Sequence, residues 1–239
     1  MSNQVFLVTG GNKGIGKAIV RQLASAGHTV YLGARQRDAG EQAAAELQAA
    51  GDVRFVQIDL NDEASQAAAV EQINADSGYL DGLINNAGII TDFGTASTVA
   101  LGDLRTTFET NLFGTLSVTQ QMLPLLRAGN HKAIVNLSTG LGSITQHGDP
   151  SWPFHGAVPM AYNASKAALN MFTVLLAKEL RAEGFRVNSV SPGWIATDLG
   201  GQNAPGTAEE GAAIAVKTAL EGSDGATGLF LTSGGVIPW

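Results

Sequence analysis

Tyr162 and Lys166 are the two side chains whose types and spacing point most directly to chemistry. They stand four residues apart at the start of a long apolar segment, so a helix would place both on one face, one turn apart. A lysine cation beside a phenol favours the phenolate and lowers a pKa that is ordinarily about 10. The spacing predicts a general acid and base that works near neutral pH. The alternative is an amphipathic pair, with the tyrosine at the core edge and the lysine in solvent.

A glycine-rich turn follows the first apolar run of the chain and reads TGGNKGIG at residues 9–16. Glycines permit a tight turn and let backbone amides approach a pyrophosphate at the N-terminus of the following helix. The glycine spacing departs from G-x-G-x-x-G, and a simple tight turn is the alternative. The predicted dinucleotide contacts in this turn are Gly10, Asn12, Lys13, Gly14, Ile15 and Gly16.

Basic side chains follow the second predicted strand, where an Asp or Glu would hold the ribose hydroxyls of NAD. The chain has Arg35 and Arg37 there, and Lys13 is expected nearby. Guanidinium groups suit the 2′-phosphate of NADP, whereas solvated surface arginines are the ordinary alternative. Because the protein is acidic, with a formal net charge of −7, three cations converging on the adenosine end favour NADP(H) over NAD.

Composition narrows the class of protein. The 239 residues are 44% hydrophobic and 15% charged, which is ordinary for a soluble globular domain. The negative net charge argues against a nucleic-acid or anionic-membrane surface. The absence of cysteine excludes disulfides, thiolate metal sites and a cysteine nucleophile. No apolar run reaches membrane-spanning length and the N-terminus lacks a charged signal region, so we expect a cytoplasmic protein.

Short apolar runs alternate with longer alanine-rich segments along the chain. The runs lie at residues 5–8, 28–32, 53–58, 82–84, 133–137, 186–190 and 229–231. Seven strands separated by helices predict one α/β domain over residues 1–239, a Rossmann-type doubly wound parallel sheet with helices on both faces. Gly27 and Gly184 mark predicted helix ends. Two segments, residues 142–160 and residues 198–206, do not fit the alternation of strands and helices. Both follow the end of a predicted strand, so we expect them to form the walls of a ligand pocket.

With the glycine turn and the Tyr162/Lys166 pair together, the chain resembles the short-chain dehydrogenase/reductase family, and it is most similar to the carbonyl-reductase-like branch. Further motifs match in order along the chain. They are Asp59-Leu60, Asn85-Asn86-Ala87-Gly88, Asn111 within Thr110-Asn111-Leu112-Phe113-Gly114, and Ser191-Pro192-Gly193 with Trp194 and Thr197. The resemblance implies that Asp59, Leu60, Asn86, Ala87, Gly88, Pro192, Gly193, Trp194 and Thr197 border the cofactor.

Each of these motifs also has an ordinary structural explanation. Asp59 and Asn61 could be helix N-caps, and residues 85–88 could be a plain turn. Asn111 could be a buried amide satisfied by backbone, and Pro192-Gly193 could simply end a strand. The order of the whole set, at the ends of successive predicted strands, favours the functional interpretation.

The resemblance implies hydride transfer between a nicotinamide and a carbonyl or alcohol carbon. It implies that Tyr162 donates a proton to the carbonyl oxygen, that Lys166 holds the ribose hydroxyls, and that Asn111 positions a water linking Lys166 to solvent. A hydroxyl at the end of the fifth strand would complete a clamp on the substrate oxygen. The family usually has Ser-Ser there, whereas this chain has Ser138-Thr139. Counting along the strand places Thr139 at the working position, with Ser138 as its rival.

The segment between Thr139 and Tyr162 is longer than the family's usual spacing, which implies an insertion at the pocket mouth. Trp152, Phe154 and Trp194 either line an apolar substrate site or anchor this loop. His147 and His155 receive no catalytic or metal role, and no metal site is expected, because loop histidines without partner ligands are usually surface or packing residues.

Two other functions stay open beside an NADPH-dependent carbonyl reductase. One is a non-catalytic NADP-binding regulator, and the other is a dinucleotide-dependent epimerase or dehydratase, which normally has a larger C-terminal region. Assembly is also open. The Tyr162 helix is apolar nearly all round, through Ala167, Ala168, Met171, Leu175 and Leu176, which favours a homo-oligomer, whereas an insertion before the helix can cap the same surface in a monomer.

Overall fold

The computed structural model describes residues 3–239, whose strands form one eight-stranded sheet. In chain order the strands are β1 (Val5–Thr9), β2 (Thr29–Ala34), β3 (Val53–Gln57), β4 (Gly82–Asn85), β5 (Ala133–Leu137), β6 (Arg186–Val190), β7 (Phe230–Thr232) and β8 (Gly235–Val236). The spatial order is β3-β2-β1-β4-β5-β6-β7-β8. The first seven strands are parallel and β8 is antiparallel to β7.

Helices connect the parallel strands. They are α1 (Gly14–Ser25), α2 (Arg37–Leu47), α3 (Glu63–Asp76), α4 (Leu101–Phe108), α5 (Thr115–Ala128), α6 (Ile144–His147), α7 (Met160–Glu179) and α8 (Ala208–Leu220). A π-helical turn, Glu109–Gly114, joins α4 to α5, and short 3-10 turns lie at Gln48–Ala50, Gly140–Gly142 and Arg181–Glu183.

Both faces of the sheet are buried because consecutive strand residues point to opposite sides. In β1, Phe6 packs in the cluster that includes α1, α2 and α8, whereas the next residue, Leu7, packs in the cluster that includes α3, α5 and α7. Every residue of β1 is buried, as a parallel strand covered on two faces requires. The doubly wound architecture predicted from the sequence is therefore confirmed.

The strand order reverses between β1 and β4, so the connections after these strands diverge and leave a crevice at their carboxyl ends. The glycine turn follows β1. The motif at residues 85–88 begins at the last residue of β4 and continues beyond the strand, so both motifs lie at this crevice. The catalytic candidates at the end of β5 and on α7 come to the same edge of the sheet.

The structure differs from the sequence-based fold at two places. The eighth strand was not predicted, because it has only two residues and lies in a glycine-rich stretch after the Ser233-Gly234 turn. The sequence predicts an irregular insertion, whereas the structure has the short helix α6 within it. Gly27 and Gly184 do follow helical segments with φ of 89° and 82°, the left-handed region that favours glycine.

Candidate active site

Helix α7 places Tyr162 and Lys166 on one buried face near its N-terminus. The two residues are 8% and 4% exposed. The Lys166 Nζ lies 5.9 Å from the centroid of the Tyr162 ring and donates a hydrogen bond of 2.7 Å to the carbonyl of Leu137, the last residue of β5. The structure therefore brings the predicted pair together, and it excludes the alternative in which Lys166 points into solvent.

The direction predicted for the pKa of Tyr162 is wrong in this structure. Burial raises the pKa of the Tyr162 phenol to about 12, and burial lowers the pKa of Lys166 to about 8. Because the ammonium is turned toward the Leu137 carbonyl, loss of hydration outweighs its attraction for a phenolate. At neutral pH the tyrosine is a neutral acid and the lysine is mostly a cation.

The two hydroxyls at the end of β5 lie in different environments. Ser138 is 4% exposed, and its buried Oγ has no hydrogen-bond partner among residues 3–239. Thr139 is partly exposed in extended backbone, and its Oγ1 accepts a 3.3 Å bond from the Leu141 N–H at the start of the next turn. Neighbouring side chains of an extended segment point to opposite sides, so only one of the two hydroxyls can face a given substrate.

Asn111 lies on the π-helical turn between α4 and α5 and is fully buried. Its Nδ2 donates to the Ile89 carbonyl at 2.9 Å and to Ser165 Oγ at 3.0 Å, and its Oδ1 accepts from the Ile89 N–H at 2.8 Å. Hydrogen bonds within the protein thus satisfy the Asn111 side-chain amide, as expected for a buried structural asparagine. It still touches the site, because Ser165 is the neighbour of Lys166. Ser165 stands between the two motif residues and was not predicted from the sequence to belong to this group.

Gly88 lies against this polar group. A Cβ on Gly88 would come within 3.3 Å of Asn111 Oδ1 and 3.4 Å of Lys166 Nζ. The connection after β4 is thereby held next to the lysine and the asparagine, although the three residues are far apart in sequence.

The glycine turn and the connection after β4 are joined by Thr9 and Asn86. Thr9 Oγ1 accepts bonds of 3.1 Å from the backbone N–H groups of Asn86 and Ala87, and Asn86 Nδ2 donates to the Thr9 and Gly10 carbonyls. A Cβ on Gly16 would meet the Gly10 carbonyl oxygen at 2.2 Å, so only glycine lets α1 pack this closely on the turn. Thr9 was not singled out from the sequence, although its position before the turn was a usable signal.

A polar cleft of about 350 Å³ lies beyond the carboxyl end of β2. It is lined by Arg35, Arg37, Gln57, Asp59, Asp62, Ser65, Ala68 and Gln72. Arg37 donates to Glu41 and to Gln57, whereas the exposed Arg35 guanidinium has no ion-pair partner within the described chain. Leu60 is buried beside the partly buried Asp59.

One expectation around this cleft is wrong, and one structural alternative is excluded. Lys13 does not line it, because the lysine Nζ pairs with Asp198 at 2.6 Å and both side chains are exposed. Neither Asp59 nor Asn61 caps α3, since Asp62 accepts the N-terminal N–H bonds of that helix. Asp59 Oδ1 instead accepts a bond of 3.0 Å from the Asn61 N–H. Two cations, rather than three, therefore converge on the cleft.

The segment after β6 covers the glycine turn. A Cβ on Gly14 would lie 3.3 Å from the Thr197 methyl group, next to the Lys13–Asp198 pair. Thr197 Oγ1 accepts from the Gly200 N–H at 3.1 Å, and Gly193 has a φ of 89°. The segment that begins at the partly buried Pro192 thus bends over the N-terminus of α1.

Aromatic side chains connect the insertion to this covering segment. His147 contacts Trp152 at a ring distance of 5.1 Å, Trp152 contacts Phe154 at 5.7 Å, and Phe154 contacts Trp194 at 6.2 Å, each edge to face. Phe154 and Trp194 remain 43% and 48% exposed, so they both anchor the loop and present apolar surface. His147 Nε2 lies 3.0 Å from the Leu141 carbonyl, a packing role consistent with the sequence interpretation.

The residues at the crevice fit a dinucleotide. The first turn of α1 has no acidic side chain, and its N-cap Lys13 makes no side-chain capping bond, so the helix leaves its N-terminal amides to a ligand. Asn12 and Ile15 are partly buried in the same turn. With Arg35 and Arg37 in the polar cleft, one end of the crevice suits a pyrophosphate and the other a further phosphate.

Comparison with known proteins places these motifs in one family. A family model for short chain dehydrogenases matches residues 4–208. The mouse protein named Carbonyl reductase (NADPH) 1 is 30% identical, over 100% of this chain and 99% of the relative. The Penicillium roqueforti protein named Short-chain dehydrogenase anuI is 36% identical, over 93% and 91% of the two chains.

Two solved structures show the same fold. The NADPH-bound carbonyl reductase from chicken fatty liver has a TM-score of 0.88 and 28% identity, and the alignment covers 100% of both chains. The Pseudomonas aeruginosa RhlG/NADP complex has a TM-score of 0.83 and 28% identity, over 98% of this chain and 95% of that one. Within residues 3–239, no helix is long and apolar enough to cross a membrane.

Proposed function

The chain belongs to the short-chain dehydrogenase/reductase family and is an oxidoreductase of carbonyl and alcohol groups, and from this premise we propose that it is an NADPH-dependent carbonyl reductase. Its substrates are ketones or aldehydes, or the corresponding alcohols. The observation that carries the proposal is the buried pair of Tyr162 and Lys166, held beside the glycine turn and the hydroxyls at the end of β5.

The preference for NADP(H) rests on Arg35. Its guanidinium is exposed in a polar cleft and has no ion-pair partner in the described part of the chain, so it is available to a phosphate. Arg37 shares the cleft while it pairs with Glu41. The mouse relative and the chicken structure carry NADPH in their names, which supports the same cofactor here.

In this proposal, Tyr162 and Lys166 manage the proton that the carbonyl oxygen receives. NADPH, when bound, supplies the hydride. The pKa of Tyr162, raised to about 12 by burial, keeps the phenol protonated at neutral pH, ready to donate to a carbonyl oxygen. Lys166, whose pKa is about 8, is mostly cationic at pH 7 and stabilises the tyrosinate that forms. The Leu137 carbonyl fixes the position of its ammonium.

The second donor in this proposal is Thr139. It is partly exposed, whereas Ser138 is buried, so Thr139 is the hydroxyl that a substrate oxygen can reach from solvent. A hydroxyl aimed at the developing negative charge lowers the barrier without taking part in bond changes. Asn111 contributes by holding Ser165 and Ile89 around Lys166.

The test is NADPH oxidation against a panel of ketones and aldehydes, with product quantified beside NADPH consumed. We expect one mole of alcohol for each mole of NADPH. Tight NADPH binding without turnover on any member of the panel would support the non-catalytic NADP-binding regulator instead. Conversion of a sugar nucleotide without net NADPH consumption would support an epimerase. A cytoplasmic location and the assembly state, monomer or homo-oligomer through α7, stay predictions.

A further inference from the structure

The C-terminal residues 237–239 are anchored on the sheet. After the hairpin of β7 and β8, the Ile237 N–H donates to the Phe230 carbonyl at 2.7 Å. The Trp239 indole stacks on Phe230, with ring centroids 5.5 Å apart and planes 18° apart. Phe230 is fully buried. The tail formed by residues 237–239 thus has a fixed position relative to the core.

This tail holds the start of the insertion. The Trp239 main-chain oxygen accepts two hydrogen bonds from Thr145, one from its N–H at 3.0 Å and one from its Oγ1 at 2.6 Å. The Pro238 carbonyl accepts a bond of 2.7 Å from Ser143 Oγ. Ser143 is fully buried, and its Oγ also caps α6 by accepting from the Gln146 N–H. Three bonds therefore join the tail to residues 143–145.

Residues 143–145 are in turn bonded to the segment that carries the candidate hydroxyl. The Ser143 N–H donates to the Gly140 carbonyl at 3.0 Å, and the Gly142 N–H donates to the Thr139 carbonyl at 2.8 Å. The same turn packs on α7, since a Cβ on Gly142 would lie 3.0 Å from the Cβ of Lys166. A continuous series of contacts thus runs from Trp239 to Thr139 and Lys166.

The packing beside the indole is incomplete. A mainly apolar pocket of about 80 Å³ separates Trp239 from the outer side of α7. Its lining residues are Gly142, Ile144, Ala167, Asn170, Met171, Val174 and Trp239. Without the indole the pocket would enlarge, and the turn at Gly142 would have room to move away from the helix.

We propose that Trp239 is a positioning residue, which holds the segment from Thr139 to Thr145 against α7 so that the Thr139 hydroxyl faces the same point as Tyr162. This inference rests on the proposed reductase function. In this inference Trp239 acts through Thr145 and Ser143 rather than by contact with the reacting groups. Displacement of a reacting group by about 1 Å can lower turnover by about a hundredfold.

The first test compares Trp239→Ala, Trp239→Phe and Val236→Ala in the full chain. Val236 is 64% exposed on β8 and serves as the matched control for a change in the tail. We expect Trp239→Ala to lower kcat by about 10- to 100-fold with KM and the NADPH Kd within about threefold of wild type. Trp239→Phe keeps a stacked ring and restores most of kcat, and Val236→Ala keeps wild-type kcat.

The second test is a double-mutant cycle with Thr139→Val. If Trp239 acts through the Thr139 hydroxyl, Trp239→Ala lowers kcat little further in a chain that already lacks that hydroxyl. Additive losses would overturn the inference, and so would a Trp239→Ala variant that keeps kcat within about twofold of wild type. Should Trp239→Ala fail to fold, Thr145→Val removes the 2.6 Å bond alone, and wild-type kcat in that variant would also overturn it.

A measurement that needs no activity separates this inference from the proposed function. Amide hydrogen exchange over residues 140–146 should be faster in Trp239→Ala than in wild type and unchanged in Val236→Ala. If wild type reduces no carbonyl compound but the exchange difference appears, the proposed function fails while the positioning contact stands. Equal exchange in wild type and Trp239→Ala would refute the contact itself.

Discussion

Lys166 carries a buried cation, and Lys166→Met removes that charge while it keeps most of the side-chain volume. Burial lowers the pKa of Lys166 from 10.5 to about 8. One pKa unit corresponds to about 1.4 kcal/mol, so the folded protein is destabilised by about 3 kcal/mol at neutral pH by keeping this lysine charged. The variant leaves the Leu137 carbonyl without its donor, a cost that does not depend on pH.

The sign of the pH dependence follows from the lowered pKa. Between about pH 8 and pH 10.5 the unfolded chain keeps the lysine proton and the folded protein has released it, so the wild type gains stability as the pH rises. The variant has no such group. We expect the free energy of unfolding of wild type, minus that of Lys166→Met, to rise by about 1.4 kcal/mol per pH unit in this window.

Urea unfolding followed by fluorescence, at half-unit steps from pH 7 to pH 10.5, measures this difference. Subtraction of the variant cancels the titrating groups that lie far from Lys166. A difference that stays constant across the window would show that Lys166 keeps an ordinary pKa in the folded protein. That result would refute the interpretation that burial, rather than a nearby tyrosinate, sets the pKa of Lys166.

Three further predictions follow from the site. Arg35→Asp should weaken NADPH binding by about ten- to a hundredfold and change NADH little, because a charge-assisted contact to phosphate contributes about 1.5 to 3 kcal/mol; equal wild-type affinities for the two cofactors in fluorescence titrations would contradict it. Thr139→Val should lower kcat by about a hundredfold and Thr139→Ser should be tolerated, whereas loss of turnover only in Ser138→Ala, with NADPH binding intact, would assign the hydroxyl to Ser138. Burial lowers the pKa values of His28 and His131, so the free energy of unfolding should fall as the pH drops below about 6.5, and it should fall less in His28→Gln; identical acid limbs would contradict this.

Much of the fold could be predicted from the sequence because each parallel strand is buried on both faces and therefore forms a continuous apolar run. Residues 133–137 and 186–190 were located with their observed bounds for this reason. Strand β8 could not be located, since it pairs through Gly235 and Val236 and buries neither of them. Its position depends on the tail contacts to Phe230, which are tertiary.

The candidate site was predicted as a set of residues but not as an arrangement. The four-residue spacing was enough to place Tyr162 and Lys166 on one face of α7. The direction of the tyrosine pKa depended on burial and on the Leu137 carbonyl, neither of which local spacing shows. The sequence predicts Lys13 beside Arg35 because both are basic and follow early strands. In the structure Asp198, distant in sequence, pairs with Lys13 away from the polar cleft.

The central claim is that Tyr162 donates the proton in an NADPH-dependent carbonyl reduction, and Tyr162→Phe tests it most directly. The change removes one hydroxyl and keeps the ring, so NADPH affinity should stay within about twofold of wild type while the rate of ketone reduction falls by about two to four orders of magnitude. Stopped-flow NADPH oxidation and fluorescence titration on the two proteins measure both quantities. Reduction by the variant at more than about a tenth of the wild-type rate would contradict the claim.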